Sequence, residues 1–315
     1  MENSKSGSLY RYSSLPQRFM FSLKRYWVLY LMLSPMLLFF IIFRYVPMGG
    51  IVIAFQNFRP ARGIMGSDFV GLQNFQDFFG SVFFGRIVRN TLSISFLFLI
   101  FGFPASIIFA LFLNELTSKR FKKAVQTATY MPYFISVVVA AGITRMFVGR
   151  SGIINDVRSL FGLERIVFLA QPQYFRPIFV ISGIWQGLGW GSIIYIAALA
   201  AVSVELYDAA LVDGAGRLRR IWHVSIPGIM PTIVIMLILA IGGLMSVGAE
   251  RILLLYNPGI YSTADVISTF VFRLGIQEAR FGYAAAVGLF NSVINFILLL
   301  GADRFAKYVG QAGLF

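Results

Sequence analysis

The amino-acid sequence predicts an all-α integral membrane protein with six transmembrane helices. Of its 315 residues, 58% are apolar and 13% are charged, and that charged share is about half of what soluble domains carry. Six apolar stretches are also long enough, because a helix needs roughly 20 residues to cross about 30 Å of hydrocarbon. These stretches are 26–46, 87–113, 129–148, 177–202, 226–247 and 284–301.

The distribution of basic residues predicts that both termini are cytoplasmic. Lysines and arginines cluster in the N-terminal segment 1–25, in the loops after the second and fourth stretches, and towards the tail 305–315. Such clusters remain on the cytoplasmic side of a membrane. Arginines in the opposite loops, such as Arg59 and Arg150, dilute this bias. We therefore expect a multi-pass protein of the cell (cytoplasmic or inner) membrane.

Composition excludes several other classes of function. The net charge of +14 lies in short basic clusters between apolar stretches, which suits membrane lipid better than nucleic acid. The chain has no cysteine and one histidine, His223, which argues against disulfides, thiolate chemistry and a metal site. No small-residue cleavage site follows the first apolar stretch, so we expect a retained span rather than a removed signal peptide.

The external segment 47–86 contains an amphipathic pattern. In FVGLQNFQDFF (69–79) the aromatic and leucine residues recur at near-helical spacing. The pattern predicts a helix that lies on the membrane surface. Packing of the same face against neighbouring external loops is an equally good interpretation.

A polar stretch, ELYDAALVDGAGRLRRIWHVSIP (205–227), separates the fourth and fifth apolar stretches on the predicted cytoplasmic side. Ser203 suits the N-cap of a helix whose first turn carries Glu205. Gly214 and Gly216 permit a positive φ where that helix ends. One face of the helix carries Leu206, Ala209, Ala210 and Asp213, which recur at i, i+3 and i+4 spacing.

The arginines that follow, Arg217, Arg219 and Arg220, suit the negative end of such a helix and the lipid headgroups. The residues thus predict a short cytoplasmic helix with a small-residue face, joined rigidly to two spans. An inert re-entry loop, held flat on the membrane by its arginines, is the alternative. A loop that carries a helix cap, helix-forming residues and a terminating glycine is more than a simple connection requires.

This stretch resembles the cytoplasmic signature of the permease subunits of bacterial ABC importers. That signature is Glu-Ala-Ala, three residues, Gly, nine residues and Ile-x-Leu-Pro. Here Asp208, Ala209 and Ala210 precede Gly214, and Val224, Ile226 and Pro227 follow at the same spacing. The substitutions keep charge and apolar character. FVGLQNFQDFF, GIWQGLGWGSIIYIAALAAV (183–202) and LLLYNPGIYSTADVISTFVFRLGI (253–276) are similar to the carbohydrate branch, especially to permeases for oligosaccharides and polysaccharide fragments.

The resemblance implies a type I ABC importer permease fold, in which an ABC-type domain (87–304) contains a coupling helix (205–220). It also implies that this helix docks on a separate ATPase chain. The coupling residues would be Glu205, Asp208, Ala209, Ala210, Asp213, Gly214, Arg217, Arg219 and Arg220. Expected partners are two ATPase subunits, a second homologous permease or a second copy of this chain, an external solute-binding protein and a sugar.

We do not expect the chain to be an enzyme. It lacks a G-x-x-x-x-G-K-[ST] phosphate loop, and DGAGRLRR (213–220) has glycines without the required lysine and hydroxyl. It also lacks a nucleophile with a neighbouring base. ATP and Mg²⁺ would bind to the partner ATPase, and this chain is expected to hold no cofactor and no metal.

Candidate residues for the substrate pathway are aromatic and amide side chains, which are the groups that sugar sites use. Glycines 187, 189 and 191 suggest a broken or kinked fourth helix. The candidates are Trp185, Gln186, Trp190 and Tyr195 on the fourth stretch, Asn90 on the second, and Asn291 and Asn295 on the sixth. Interface anchoring of the aromatic residues and helix packing by the others are the alternatives. Glu250 is an acid near the external mouth.

Three other functions remain open at this point. The machine could import a non-sugar solute, because the spaced motif is shared across cargo branches. An ion-coupled secondary transporter would need more spans and ionisable residues at mid-membrane. A membrane enzyme would need paired carboxylates or a metal set, whereas only 13 acids are spread along this chain.

Overall fold

The computed structural model describes residues 24–310, 313 and 314. Within these residues, six helices are long and apolar enough to cross a membrane, as predicted. We call them spans 1 to 6; in chain order they are Trp27–Phe55, Phe84–Asn114, Val137–Leu160, Pro172–Ala200, Arg217–Gly242 and Phe281–Tyr308. The predicted segment 1–25 lies almost entirely outside the described residues.

The α-helices within these and the connecting segments are Trp27–Phe40, Val46–Met48, Gln73–Gly80, Phe84–Leu97, Phe103–Asn114, Lys119–Tyr130, Val137–Val148, Ile153–Leu160, Pro172–Ala200, Val204–Val212, Arg217–Arg220, Ile226–Gly242, Ala249–Leu255, Tyr261–Ala264, Ile267–Phe272 and Phe281–Tyr308. Shorter 3₁₀ helices are Gly49–Phe55, Pro60–Arg62, Met131–Phe134, Phe168–Ala170 and Pro258–Ile260. The two strands are Gln56–Asn57 and Asp68–Phe69.

Wider π-helical turns interrupt the helices at Ile41–Tyr45, Phe98–Gly102, Ile221–Ser225 and Arg273–Gln277. A proline lies two residues after each of the first three turns, at Pro47, Pro104 and Pro227. Proline lacks the N–H that would close the i→i−4 bond, so the backbone hydrogen bonds of the helix must rearrange just before it. The fourth turn, Arg273–Gln277, has no such proline.

Span 3 starts later than the sequence predicts. The predicted stretch 129–148 combines the end of Lys119–Tyr130 with a separate helix, Val137–Val148. Between them lies a 3₁₀ turn, and the Ser136 hydroxyl then caps the new helix by accepting from the N–H of Val139 at 3.3 Å. A proline in the turn and a serine cap are local chemistry that a hydropathy window averages away.

The predicted coupling helix 205–220 is two helices rather than one. The first is Val204–Val212, which we call the motif helix, and the second is Arg217–Arg220, which opens span 5. Gly214 has a φ of +74°, a left-handed conformation that ends the first helix. The three arginines therefore lie at the start of the following helix and not at the C-terminal end of the motif helix.

The external pattern 69–79 divides into a strand and a helix. Asp68–Phe69 pairs antiparallel with Gln56–Asn57, and the helix Gln73–Gly80 follows. Phe78 on this helix is fully buried and contacts the aromatic rings of Phe84 and Phe290. The helix thus packs on spans 2 and 6, which supports packing rather than a membrane-surface position for its buried face.

The chain divides into two compact units, Met1–Val52 and Ile53–Phe315. Three clusters of buried apolar side chains stabilise the second unit. One joins spans 2 and 4 to the segment after span 5, and includes Ile94, Phe175, Phe179 and Ile252. A second is built around Phe78 and span 6, and a third joins spans 2, 4 and 5 around Tyr195.

Candidate functional site

The motif helix is capped at both ends by its own sequence. The Ser203 hydroxyl accepts from the N–H of Glu205 at 3.2 Å, as the sequence predicts. At the other end, the N–H of Ala215 reaches the carbonyl of Ala210 at 2.8 Å and that of Gly214 reaches Leu211 at 3.0 Å. This pair of bonds around a left-handed glycine is the Schellman arrangement. Gly214 thus adopts the predicted positive φ, whereas Gly216 has a φ of −69°.

One side of the motif helix is attached to the rest of the fold. The Tyr207 hydroxyl and the hydroxyl of Ser225, which is buried in the π turn of span 5, lie 2.9 Å apart. Arg220 forms an ion pair with Glu115 at 3.5 Å, which joins the start of span 5 to the end of span 2. A movement of the motif helix would therefore be transmitted to two spans.

The other side of the motif helix is uncovered. Its apolar side chains are largely exposed, with Val204 at 70%, Leu206 at 54%, Leu211 at 53% and Val212 at 88%. Asp208 and Ala209 are exposed as well, and Ala210 is half-buried. Exposed apolar surface of this kind at a polar loop marks an interaction site.

A cavity of about 410 Å³ lies between the spans; we call it the interspan cavity. Its walls come from spans 2, 3, 4 and 5 and from the segment after span 5. It is lined by Ser95, Phe98, Leu99, Phe103, Val137, Phe179, Ala240, Gly243, Leu244, Ser246, Val247, Gly248, Glu250 and Arg251. Aromatic faces, two hydroxyls and a pair of opposite charges are thus combined in one space.

Arg251 is a charged lining residue that the sequence did not single out. Its Nη2 donates to Oε1 of Gln186, and Nε2 of Gln186 in turn donates to the carbonyl of Ile135 at 3.0 Å. The guanidinium carbon lies 5.8 Å from the ring centre of Phe179. A Cβ atom on Gly183 would lie 2.6 Å from Nη1 of Arg251, so the missing side chain leaves room for this guanidinium.

Far from the motif helix, a buried carboxylate organises the loops between spans. Asp265 is 0% exposed and forms ion pairs with Arg273 at 2.8 Å and with Arg86 at 3.2 Å. The hydroxyl of Thr269 donates to its Oδ1 at 3.0 Å. We call these four residues the Asp265 cluster. It attaches the segment 261–273 to the start of span 2.

Two side chains in and beside the cluster have raised pKa values. Burial lowers the pKa of Arg273, but the hydrogen bonds and the charge of Asp265 outweigh it, so the net pKa is raised. Burial and a hydrogen bond with Tyr261 raise the pKa of Tyr256 to about 12. Both side chains therefore keep their usual protonation states at neutral pH.

The predicted aromatic and amide residues of span 4 do not converge on one site. Gln186 and Tyr195 are buried, at 6% and 2% exposure, whereas Trp185 and Trp190 are exposed on other faces. Trp185 lines a separate apolar pocket beside span 3. Trp190 stacks on Tyr133 with ring centres 4.5 Å apart.

Span 4 is not broken at its glycines, because Pro172–Ala200 is one continuous helix. Gly189 and Gly191 act instead as close-packing positions. A Cβ atom on Gly189 would overlap the carbonyl of Thr129, and one on Gly191 would lie 2.8 Å from the Ser106 hydroxyl. Around Gly187, no atom lies within 4 Å of the added Cβ.

The three asparagines have different surroundings. Asn90 donates to the carbonyls of Asp265 and Tyr261 and accepts from Arg176 at 2.8 Å. Asn295 accepts from the N–H of Met245 and donates to the Ser246 hydroxyl, both at 2.8 Å. The buried Oδ1 of Asn291 has no hydrogen-bond partner in the described part of the chain. None of the seven predicted pathway residues lines the interspan cavity, although Gln186 and Asn295 hold residues that do.

Six spans, a loop helix with an uncovered apolar side and a cavity between the spans define the membrane-spanning subunit of a transporter, a class called permeases. The chain belongs to a particular family of that class, the binding-protein-dependent transport system inner membrane components, whose model matches residues 79–311. It is therefore a multi-pass protein of the inner membrane and a transport subunit, as predicted. This membership excludes the ion-coupled secondary transporter and the membrane enzyme.

Curated relatives and solved structures agree with the family. The chain is 45% identical to Protein LplB of Bacillus subtilis (strain 168), over 94% of this chain and 93% of that protein. It is 42% identical to the polygalacturonan/rhamnogalacturonan transport system permease protein YteP of the same strain, over 91% and 90%.

Two bacterial alginate ABC transporter structures contain a similar chain. One, in complex with an alginate pentasaccharide-bound periplasmic protein, matches at 42% identity and a TM-score of 0.87, over 94% of this chain and 100% of that one. The other is described as importing the acidic polysaccharide alginate and matches at 43% identity and a TM-score of 0.86, over 93% and 100%. The predicted type I ABC permease fold is confirmed.

Proposed function

We propose that this chain is the permease subunit of an ATP-driven importer that carries an oligosaccharide or a polysaccharide fragment into the cytoplasm. Relatives named for galacturonan and alginate transport support a saccharide cargo. A second homologous permease, two ATPase subunits that bind ATP and Mg²⁺, and an external binding protein complete the machine. A permease of six spans supplies half of the alternating-access pathway, so it requires a second permease.

The observation that carries the proposal is the motif helix, which is largely uncovered and is attached to span 5, whose start is paired in turn with the end of span 2. An ATPase that binds the exposed side opposite Tyr207, with Ala209 and Val212 in its groove, would move both spans when it closes on ATP. Asp208 and Asp213 would supply the polar rim of this interface, and Arg217 and Arg219 would flank it.

The first test asks which side of the membrane the motif helix faces. Because the chain contains no cysteine, single introduced cysteines can be labelled without background from this chain. Val212→Cys lies on the motif helix and Leu160→Cys at the end of span 3, at 88% and 83% exposure. With a membrane-impermeant maleimide on intact cells, we expect Leu160→Cys to react and Val212→Cys to react only after the membrane is opened. Labelling of Val212→Cys in intact cells would refute the docking proposal.

Coupling provides the second test. Asp208→Lys, and Gly214→Leu at the position with φ of +74°, should lower sugar uptake per ATP hydrolysed in the reconstituted complex while the spans remain inserted. Glu164→Lys, a charge reversal at an exposed acid in the loop between spans 3 and 4, is the matched control. Normal uptake in both motif-helix variants would contradict the proposal.

A further inference from the structure

We propose that Arg251 binds a carboxylate of the cargo, and that the importer therefore carries oligosaccharides that contain uronic acid. This inference rests on the proposed function and specifies its substrate class. It starts from a half-buried cation that lines the interspan cavity.

Among the described residues, three of the other five half-buried arginines have a carboxylate partner, while Arg158 and Arg176 donate to backbone carbonyls or an amide oxygen. Arg86 and Arg273 share Asp265, and Arg220 pairs with Glu115. Arg251 is half-buried as well, yet within the described residues no acidic oxygen lies within 4.0 Å of its guanidinium nitrogens. A guanidinium that is removed from water gains most from an anion with which it can form paired hydrogen bonds.

The guanidinium is also held in place before any ligand arrives. Gln186 accepts from Nη2 and is itself fixed by the carbonyl of Ile135. The space above Gly183 accommodates Nη1, as described above. A guanidinium carries five N–H donors. Here the Nη2 group donates to the protein, which leaves the other nitrogens as donors for a ligand that enters the interspan cavity.

The remaining walls of the interspan cavity suit a sugar ring. Its volume of about 410 Å³ falls within the roughly 300–1,000 Å³ of small-molecule sites. Phe98, Phe103 and Phe179 supply aromatic surface, and Ser95 and Ser246 supply hydroxyls. A carboxylate-bearing sugar would find an apolar face, hydroxyl partners and one cation within the same space.

The negative charge of Glu250 argues against the binding of a carboxylate, since Glu250 is next to Arg251 and lines the same cavity. It is exposed, however, and lies in the first turn of the helix Ala249–Leu255. Its carboxylate would repel an acidic cargo through water, whereas the half-buried guanidinium would attract it at close range. Removal of the Glu250 charge should therefore not impair uptake of an acidic cargo.

The test uses the complete transporter with its binding protein in proteoliposomes, and two cargo probes of equal length: an oligogalacturonide and its methyl ester. The binding protein is the same in every sample, so a difference between permease variants arises in the membrane. Arg251→Gln removes the charge, Arg251→Lys retains it, Glu250→Gln removes the opposing acid, and Arg150→Gln changes an exposed arginine elsewhere.

We expect Arg251→Gln to lower kcat/KM for the oligogalacturonide by roughly tenfold to a hundredfold, the size of a lost charged hydrogen bond. Uptake of the methyl ester should change little, and Arg251→Lys should restore part of the loss. Arg150→Gln should retain uptake of the acid, whereas Glu250→Gln removes a repelling charge from the cavity wall and should raise it. Equal effects of Arg251→Gln on both probes, or no effect on either, would overturn the inference.

Wild-type behaviour separates this inference from the proposed function. If the wild-type complex imports neutral oligosaccharides and rejects acidic ones, the carboxylate role of Arg251 is wrong while sugar import stands. If it imports no saccharide of either kind, the proposed function itself fails.

Discussion

The phenol of Tyr207 and the hydroxyl of Ser225 lie 2.9 Å apart and share a hydrogen bond across the turn that links the motif helix to span 5. Ser225 is 1% exposed and sits in the π-helical turn Ile221–Ser225. The bond thus connects the exposed helix directly to a turn of span 5 in which the backbone hydrogen bonds already depart from the α-helical pattern. This contact offers a direct route by which a force on the motif helix reaches span 5.

Tyr207→Phe should loosen that connection. The variant loses one hydrogen bond to a buried hydroxyl, worth about 1 kcal/mol, and keeps the aromatic ring. We expect more ATP to be hydrolysed per sugar imported, with assembly of the complex unchanged. Tyr308→Phe, at 89% exposure, is the control. An unchanged ratio of ATP hydrolysed to sugar imported in Tyr207→Phe would show that force travels by another route.

Two glycines on the same helix should respond oppositely to alanine. Gly189→Ala places a methyl group against the carbonyl of Thr129 and should destabilise the protein by about 1–3 kcal/mol through overpacking. Gly187→Ala meets no atom within 4 Å and should stabilise it by about 0.5–1 kcal/mol, because alanine favours the helix. Melting midpoints of the purified complex in one detergent compare the two; a similar shift in both would contradict close packing at Gly189.

The sequence predicted those features that depend on local pattern. Span length and hydropathy gave all six spans, and the serine before Glu205 correctly marked the start of the motif helix. The Asp265 cluster was not predictable, because Arg86 and Asp265 are 179 residues apart and only the folded chain brings them together. Arg251 likewise resembled an ordinary arginine at a span end. Its position depends on Gln186, 65 residues earlier, and on the absence of a side chain at Gly183.

The buried carboxylate of Asp265 should be essential for stability. Asp265→Asn leaves the guanidiniums of Arg86 and Arg273, at 34% and 19% side-chain exposure, without their anion. Loss of one partner from a buried ion pair costs about 3 kcal/mol or more. In contrast, Asp68→Asn removes only the exposed pair with Arg62 and should cost roughly 0.5 kcal/mol or less. Thermal unfolding of both variants provides the measurement, and equal midpoints would contradict a stabilising role for the cluster.

Asn155 ties the end of the helix Val137–Val148 to the loop before span 4 through both ends of its amide. Its Nδ2 donates to the carbonyls of Gly149 and Ile166, both at 2.8 Å, and its Oδ1 accepts from the N–H of Ile166 at 3.0 Å. The side chain is 0% exposed, so the amide nitrogen cannot exchange these carbonyls for water without opening the loop.

Asn155→Asp keeps the shape but turns an oxygen towards two carbonyls. Two acceptors then lose their donor and a charge is buried, which should cost about 2 kcal/mol or more. We expect faster proteolysis within 149–171 in detergent, where the loop would open more often. Asp156→Asn, which removes the neighbouring exposed pair with Arg165, is the control and should leave the cleavage rate close to wild type. Equal cleavage rates in Asn155→Asp and wild type would show that backbone contacts hold the loop without this amide.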